Sequence, residues 1–391
     1  MGLTGIVCKT ILYGTNKVEV IGLDRFLQRL EKRKDVEKRE RGLLTVSNHI
    51  SVVDDPLMWG IMPWRYIFNP QSLRWGLGAH DICYANPLFS NFFMAGQTLP
   101  MHRLQHSPDG GGLFQPTVTQ AIRLLSSQPY GKPLVGPSLT PASSSSSQTT
   151  TPPAADSDPF TTGALTYSTT PTDRWPAPSA YPSNRHSWVH VFPEGLVHQH
   201  PDRGLRYFKW GVARLILESE PAPDVVPIFV DGTDRIMPED RAFPRFLPRL
   251  GQRVRVAVGD AVDFEQTFGD LRRQWAALAE RSARRRRWEL RLLEDGGRRG
   301  KGGAAEEEEE GRREGTVTMM GELSDDLKYG AEAEAIRVEV AHRVRNEILK
   351  LRRSLGYPDE DPALGLAETW AKDPHKKQYK SNVDGSLVNQ E

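Results

Sequence analysis

The stretch Leu43-Leu44-Thr45-Val46-Ser47-Asn48-His49-Ile50-Ser51-Val52-Val53-Asp54-Asp55-Pro56 joins an apolar run to a histidine and two adjacent carboxylates. Leu43 to Val46 reads as a short buried strand that feeds into Asn48 and His49. A histidine acts as a base when an acceptor holds its second ring nitrogen. Asp54, five positions after His49, reaches that nitrogen if the segment bends as a loop or a helix start. The imidazole then takes a proton from a hydroxyl, and the carboxylate stabilises the imidazolium that forms. The hydroxyl can belong to the substrate, so no serine nucleophile is required. The same residues also fit a buried structural histidine beside a helix-capping aspartate. Ser51 reads as a backbone cap and Asp55 as a residue that orients the loop.

Two further clusters carry polar groups after apolar runs. Trp188 to Phe192 reads as a strand ending in Pro193-Glu194-Gly195. Ligands of open α/β sheets bind at the C-terminal strand edge. Glu194 there suits a substrate hydroxyl, and Gly195 permits close backbone approach, although an ordinary turn has the same sequence. Gly96 to Arg103 forms the third cluster. A guanidinium binds phosphate through two parallel hydrogen bonds, so Arg103 is a candidate headgroup clamp as well as a surface charge.

Working outward, residues 51–100 are dense in aromatics, among them Trp59, Trp64, Phe68, Phe89, Phe92 and Phe93. Such density demands burial, against protein or against lipid. Residues 116–126 suit a short helix, Val225 to Val230 a buried strand interrupted by Pro227, and Arg253 to Val258 a half-exposed strand. Residues 205–219 suit an amphipathic helix with Leu205, Phe208, Val212, Leu215 and Ile216 on one face. That face fits either a membrane interface or a sheet. Ile336, Val340, Val344, Ile348, Leu351 and Leu355 mark one face of a long helix, with Gly356 as its stop. Helices alternating with strands predict an α/β fold, a mixed sheet flanked by helices.

The 391 residues then divide into an N-terminal anchor or helical region (1–40), a main domain (41–265), a helical C-terminal region (266–355) and a polar tail (356–391). Residues 136–185, rich in Ser, Thr and Pro, are expected to be a disordered insertion, and 293–316, with its Glu306 to Glu310 block, a second one. Residues 1–13 fit an interfacial anchor or the first turns of a core helix. The formal net charge is +1, and no nucleic-acid motif is present. Cys8 and Cys83 give neither a disulfide framework nor zinc spacing, and no metal site is expected. No secretory pattern and no apolar run of bilayer-spanning length occurs.

Asn48-His49 with Asp54, Arg103 after Gly96 to Pro100, Phe192-Pro193-Glu194-Gly195, and then Val226-Pro227-Ile228 follow one another in an order that resembles the glycerolipid acyltransferase superfamily. The fuller strings, through Arg206-Tyr207-Phe208-Lys209-Trp210-Gly211, resemble one branch of it over roughly 10–265, apart from 136–185. That resemblance implies the superfamily's fold and a phospholipid–lysophospholipid transacylase that remodels cardiolipin without coenzyme A or other cofactor. Its partners would be cardiolipin, monolysocardiolipin and related phospholipids, and the membrane interface. It would sit peripherally on mitochondrial outer and inner membranes, facing the intermembrane space. His49 and Asp54 match the family's catalytic pair, and Arg103, Glu194 and Gly195 its substrate-binding positions. The equivalent of 205–230 would be its interfacial anchor. Leu196 departs from the small polar or basic residue common at that position. An acyl-CoA-dependent lysophospholipid acyltransferase and a catalytically idle scaffold of the same fold remain alternatives.

Overall fold

A computed structural model describes residues 2–104, 111–127, 184–240, 247–298 and 323–371, plus four isolated two-residue strands. The expected insertion at 136–185 falls almost wholly outside the described residues, as does most of 293–316.

The elements begin with α1 (Gly2–Lys9), a π turn (Thr10–Gly14), β1 (Lys17–Ile21) and α2 (Leu23–Lys32). Then come β2 (Leu43–Ser47), α3 (Asp54–Gly60), α4 (Trp64–Ile67), β3 (Trp75–Ala79), α5 (His80–Cys83), α6 (Pro87–Ala95), β4 (Thr98–Met101) and α7 (Pro116–Leu125). The second half supplies β5 (Trp188–Val191), α8 (Gly211–Glu218), β6 (Asp224–Asp231), α9 (Thr233–Ile236) and β7 (Arg253–Val258). Helices α10 (Phe264–Arg298), α11 (Asp325–Tyr329), α12 (Ala331–Ser354) and α13 (Ala367–Ala371) follow.

Seven strands form one mixed sheet in the order β1-β7-β6-β2-β5-β3-β4. The five from β6 to β4 run parallel, while β7 is antiparallel to β6 and carries β1 parallel to itself. This is the expected α/β architecture. Every residue of β2 is buried, as a central strand covered on both faces requires. Leu44 and Val46 face one core with α7, α8, α10 and α12, whereas Leu43 faces the other with α2, α3 and α4. Because β2, β5, β6, β3 and β4 are parallel, their C-terminal ends share one edge. Residues 48–54, 80–81, 102–103, 193–195 and 232–234 gather there.

Pro227 does not interrupt its strand. Its carbonyl accepts from Gly259 N at 2.9 Å, so its ring nitrogen faces the point where β7 has already ended, the one side where a missing N–H costs no ladder bond.

The amphipathic segment is shorter than its sequence pattern, and it faces inward. Residues 205–209 form no regular element, because the amides of Leu205, Arg206 and Lys209 donate to Glu360, Glu194 and the Pro193 carbonyl. The helix spans only Gly211–Glu218. Leu205, Phe208, Val212, Leu215 and Ile216, a face that fitted either a membrane anchor or a helix on the sheet, are 0–4 % exposed and lie within the core. A periodic apolar face reports that something covers it; here the cover is protein.

Helix α12 brings three buried arginines into that core. Arg345 donates to the carbonyls of Leu205 (2.6 Å) and Arg206 (3.0 Å), and Arg352 to those of Arg203 and Asp202 (2.8 Å each). Arg337 caps the end of α11 through the Leu327 and Lys328 carbonyls, both at 2.7 Å. Gly356, at φ +87°, follows the helix, the left-handed conformation that suits glycine at a helix end.

Candidate active site

The site is built on the loop leaving β2. Asn48 is buried and anchors it: its Nδ2 donates to the Val230 carbonyl and its Oδ1 accepts the Val230 amide, both at 2.8 Å. The loop then turns back on Asp54, the first residue of α3. Asp54 Oδ2 accepts from His49 Nδ1 at 3.0 Å, Ile50 N at 2.7 Å and Ser51 N at 2.8 Å. Its Oδ1 accepts from Thr233 Oγ1. The Asp54 side chain is fully buried, while the His49 side chain is 20 % exposed. A carboxylate on Nδ1 places the proton there and leaves Nε2 as the acceptor. The geometry is that of a base with an oriented tautomer.

Both sides of the His49 peptide are held by the loop after β5. Its N–H donates to Glu194 Oε1 at 2.9 Å, and its carbonyl accepts from His198 N at 2.8 Å. Phe192 stacks on the imidazole with centroids 4.3 Å apart. Glu194 is buried, and its other oxygen accepts from Arg206 N at 3.1 Å. Burial pushes its carboxyl up to about 7 against the pull of those two amides. Glu194 thus braces two backbone segments, a different contact from the substrate hydroxyl suggested by its place at a strand end. Gly195 has φ +69°, and a Cβ there would lie 2.8 Å from the Lys209 side chain, so the turn itself accounts for the glycine.

Arg103 leaves the end of β4. It meets Asp81, in α5 just after β3, through two hydrogen bonds, Nε to Oδ1 at 3.0 Å and Nη2 to Oδ2. Two strands separate β4 from β2, which places Arg103 three strand spacings, about 14 Å, along the edge from the histidine loop. Next to it His80 and His102 stack at 4.3 Å. Burial lowers both, His102 to about 4, so they present neutral rings at neutral pH.

The remaining members of the first motif are structural. Ser51 is buried and its hydroxyl lies 3.5 Å from Val53 N. Asp55 pairs with Arg74, which is only 3 % exposed. One buried residue escaped the sequence reading. His190, in mid-strand, meets Thr45 Oγ1 at 2.8 Å and Ser47 Oγ at 3.5 Å. Trp188 Nε1 donates to the same Thr45 oxygen at 2.8 Å. Burial, then the charges of Arg74 and His49, hold His190 well below the usual histidine range. Its signal lay in the pairing of strands: Thr45 and His190 are register partners. Among the described residues no cluster of His, Cys, Asp and Glu has the geometry of a metal site.

An α/β sheet that offers a carboxylate-oriented histidine at its C-terminal edge fits acyl transfer to a hydroxyl, and a family model described as Acyltransferase matches residues 17–130. The class is therefore acyltransferase. Over 394 residues the chain is 31 % identical to the tafazzin of Saccharomyces cerevisiae, covering 99 % of this chain and 85 % of that one. It is 29 % identical over 270 residues to tafazzin of Drosophila melanogaster, covering 69 % and 52 % respectively. An N-acylphosphatidylethanolamine synthase of Arabidopsis thaliana is 30 % identical over 234 residues, covering 59 % and 60 %. The chain belongs to the tafazzin family.

Proposed function

We propose that this acyltransferase is a phospholipid–lysophospholipid transacylase with cardiolipin among its substrates, acting without coenzyme A. The observation that carries the mechanism is the His49–Asp54 contact, with Asp54 fixed by four hydrogen bonds and His49 part-exposed. His49 Nε2 takes the proton of a lysophospholipid hydroxyl. The freed oxygen attacks the acyl carbonyl of the donor phospholipid, and a tetrahedral intermediate forms. Its collapse breaks the donor ester bond, and the imidazolium returns the proton to the departing oxygen, leaving a new lysophospholipid. Asp54 holds the ring and offsets the imidazolium charge between the two steps. Bonds made and broken are both glycerol esters, so the exchange is near thermoneutral, and acyl chains redistribute according to the membrane's composition.

Arg103 is assigned to a lipid phosphate, with Asp81 presenting its guanidinium. Glu194 and Gly195, first expected to touch substrate, are assigned to positioning the His49 loop. No helix among the described residues is long and apolar enough to cross a membrane; peripheral attachment is proposed on the strength of the family. Mitochondrial membranes facing the intermembrane space are the proposed location, on the strength of the family.

The test is reconstitution into vesicles holding a labelled diacyl phospholipid and monolysocardiolipin, with no coenzyme A. Label should move to the acceptor. Transfer that starts only when acyl-CoA is added would instead make this an acyl-CoA-dependent acyltransferase.

A further inference from the structure

Helix α6, Pro-Leu-Phe-Ser-Asn-Phe-Phe-Met-Ala, has no buried residue. Leu88 is 75 % exposed, Phe89 47 % and Phe92 48 %. Three large apolar side chains exposed on one short helix are costly unless something covers them. The surrounding sequence indicates the cover. From residue 56 to residue 108 the sole carboxylate is Asp81, which Arg103 engages. In the same span Trp64 (47 % exposed) and Phe68 (59 %) stack on one another, and Lys9 lies 5.5 Å from the Trp64 ring. Glu31 reaches this surface from α2, where the Tyr66 hydroxyl engages it at 3.1 Å. Exposed aromatics beside lysine and arginine, with the few carboxylates engaged, are the composition of a protein surface at an anionic lipid headgroup layer.

Topology puts these groups on one side. The crossovers from β2 to β3 and from β3 to β4 move in the same direction across the sheet. Right-handed parallel crossovers therefore place α3, α4 and α6 on a single face. Their connections pass through the edge that carries His49 and Arg103.

We propose that α6, with Trp64 and Phe68 on the same face of the sheet, is the surface through which the protein docks on an anionic bilayer, with Leu88, Phe89 and Phe92 entering the leaflet. This rests on the lipid-exchange reading of the active site, because substrates with acyl chains must be collected from a bilayer at that edge. It also replaces the inward-facing residues 205–216 as the membrane contact. A second copy of the chain on the same face is the competing occupant, and the like charges of Lys9 and exposed Arg65 that two copies would bring together disfavour it.

The experiment uses the full chain and vesicles of phosphatidylcholine with phosphatidylglycerol. Because Cys8 and Cys83 are buried, Phe92→Cys accepts an environment-sensitive fluorophore selectively. Its emission should shift to the blue and brighten when vesicles are added. The combined variant Leu88→Ser, Phe89→Ser, Phe92→Ser should partition on the order of 100-fold more weakly while transferring acyl groups between dissolved short-chain lipids at the wild-type rate. Trp288→Ser, at a site 61 % exposed in α10, should bind like wild type. Should the combined variant misfold, the labelled single variant still decides. A silent label or unchanged partitioning overturns the proposal, as does a dimer that dissociates in the variant with vesicle binding intact. A responding label in a protein that transfers no acyl group sustains the docking surface and refutes the catalytic reading alone.

Discussion

Replacing Asp54 by Asn separates what this residue does for the fold from what it does for the reaction. In the protein one carboxylate oxygen accepts from His49 Nδ1, Ile50 N and Ser51 N, and the other from Thr233 Oγ1. Asparagine has the same shape. With its amide oxygen in the first position the three N–H groups keep their acceptor, and the amide nitrogen meets Thr233 Oγ1, a hydroxyl able to accept. Each bond loses only its charge-assisted part, roughly 1 kcal/mol, and relief from burying a carboxylate offsets some of that, for a net cost of about 1–3 kcal/mol. Catalysis has no such substitute. The imidazolium formed during transfer loses its counter-charge, and the flipped amide would fix the wrong tautomer at His49. Loss of the carboxylate in a comparable histidine pair lowers turnover by about 10⁴-fold. The expectation is a fall of about 10³–10⁴-fold in vesicle transfer, with a melting temperature only several degrees lower. Asp54→Ala, by contrast, strands two buried amides and should unfold far more readily. A folded Asp54→Asn protein that transfers within about tenfold of wild type would refute the electrostatic role of Asp54.

Three further outcomes follow from neighbouring contacts. Glu194, raised by burial from 4.5 to about 7, binds a proton more tightly folded than unfolded. The stability it contributes is complete below about pH 4.5 and is lost as pH rises through 7, on the order of 3 kcal/mol. Urea unfolding from pH 5 to 8 should show that decline, and Glu194→Gln should flatten it. His190 has the opposite sign: its folded value lies below the ordinary 6.5, so its contribution is complete above about pH 6.5 and is lost as pH falls. In His190→Gln the acid side of the same profile should be shallower. Arg345→Ala removes the partner of buried Glu360 and two bonds to the 205–206 carbonyls. It should cost about 3–5 kcal/mol in denaturant titration and, by loosening the segment that Glu194 braces, slow transfer in whatever protein remains folded; an unchanged midpoint would contradict it.

The parts of the site that sequence reveals are those made by neighbours in sequence. Asp54 reaches His49 because five residues suffice for a turn, and the apolar run before them places the turn at a strand end. Arg103 was likewise placed by the strand preceding it. What sequence hides comes from distant segments. Glu194 has the same neighbours whether it faces a substrate or two amides, and the amide donors at 49 and 206 arrive from separate connections. Nothing beside Arg345 or Arg352 in sequence marks them as buried, because the carbonyls they bind lie about 140–150 residues away. The apolar faces of 205–216 and 87–95 illustrate the same limit from both sides. Periodicity and composition mark a surface for burial in each, and only the fold shows that protein covers the first and leaves the second open.

The most direct test of the account is the initial rate of coenzyme-A-free transfer from labelled phosphatidylcholine to monolysocardiolipin by His49→Gln beside wild type, with vesicle binding of both confirmed. The account predicts that His49→Gln binds normally and loses at least about 10³-fold in rate, the scale of a general base removed from its place. Transfer within about tenfold of wild type would contradict it, and would move the chemistry away from the His49–Asp54 pair.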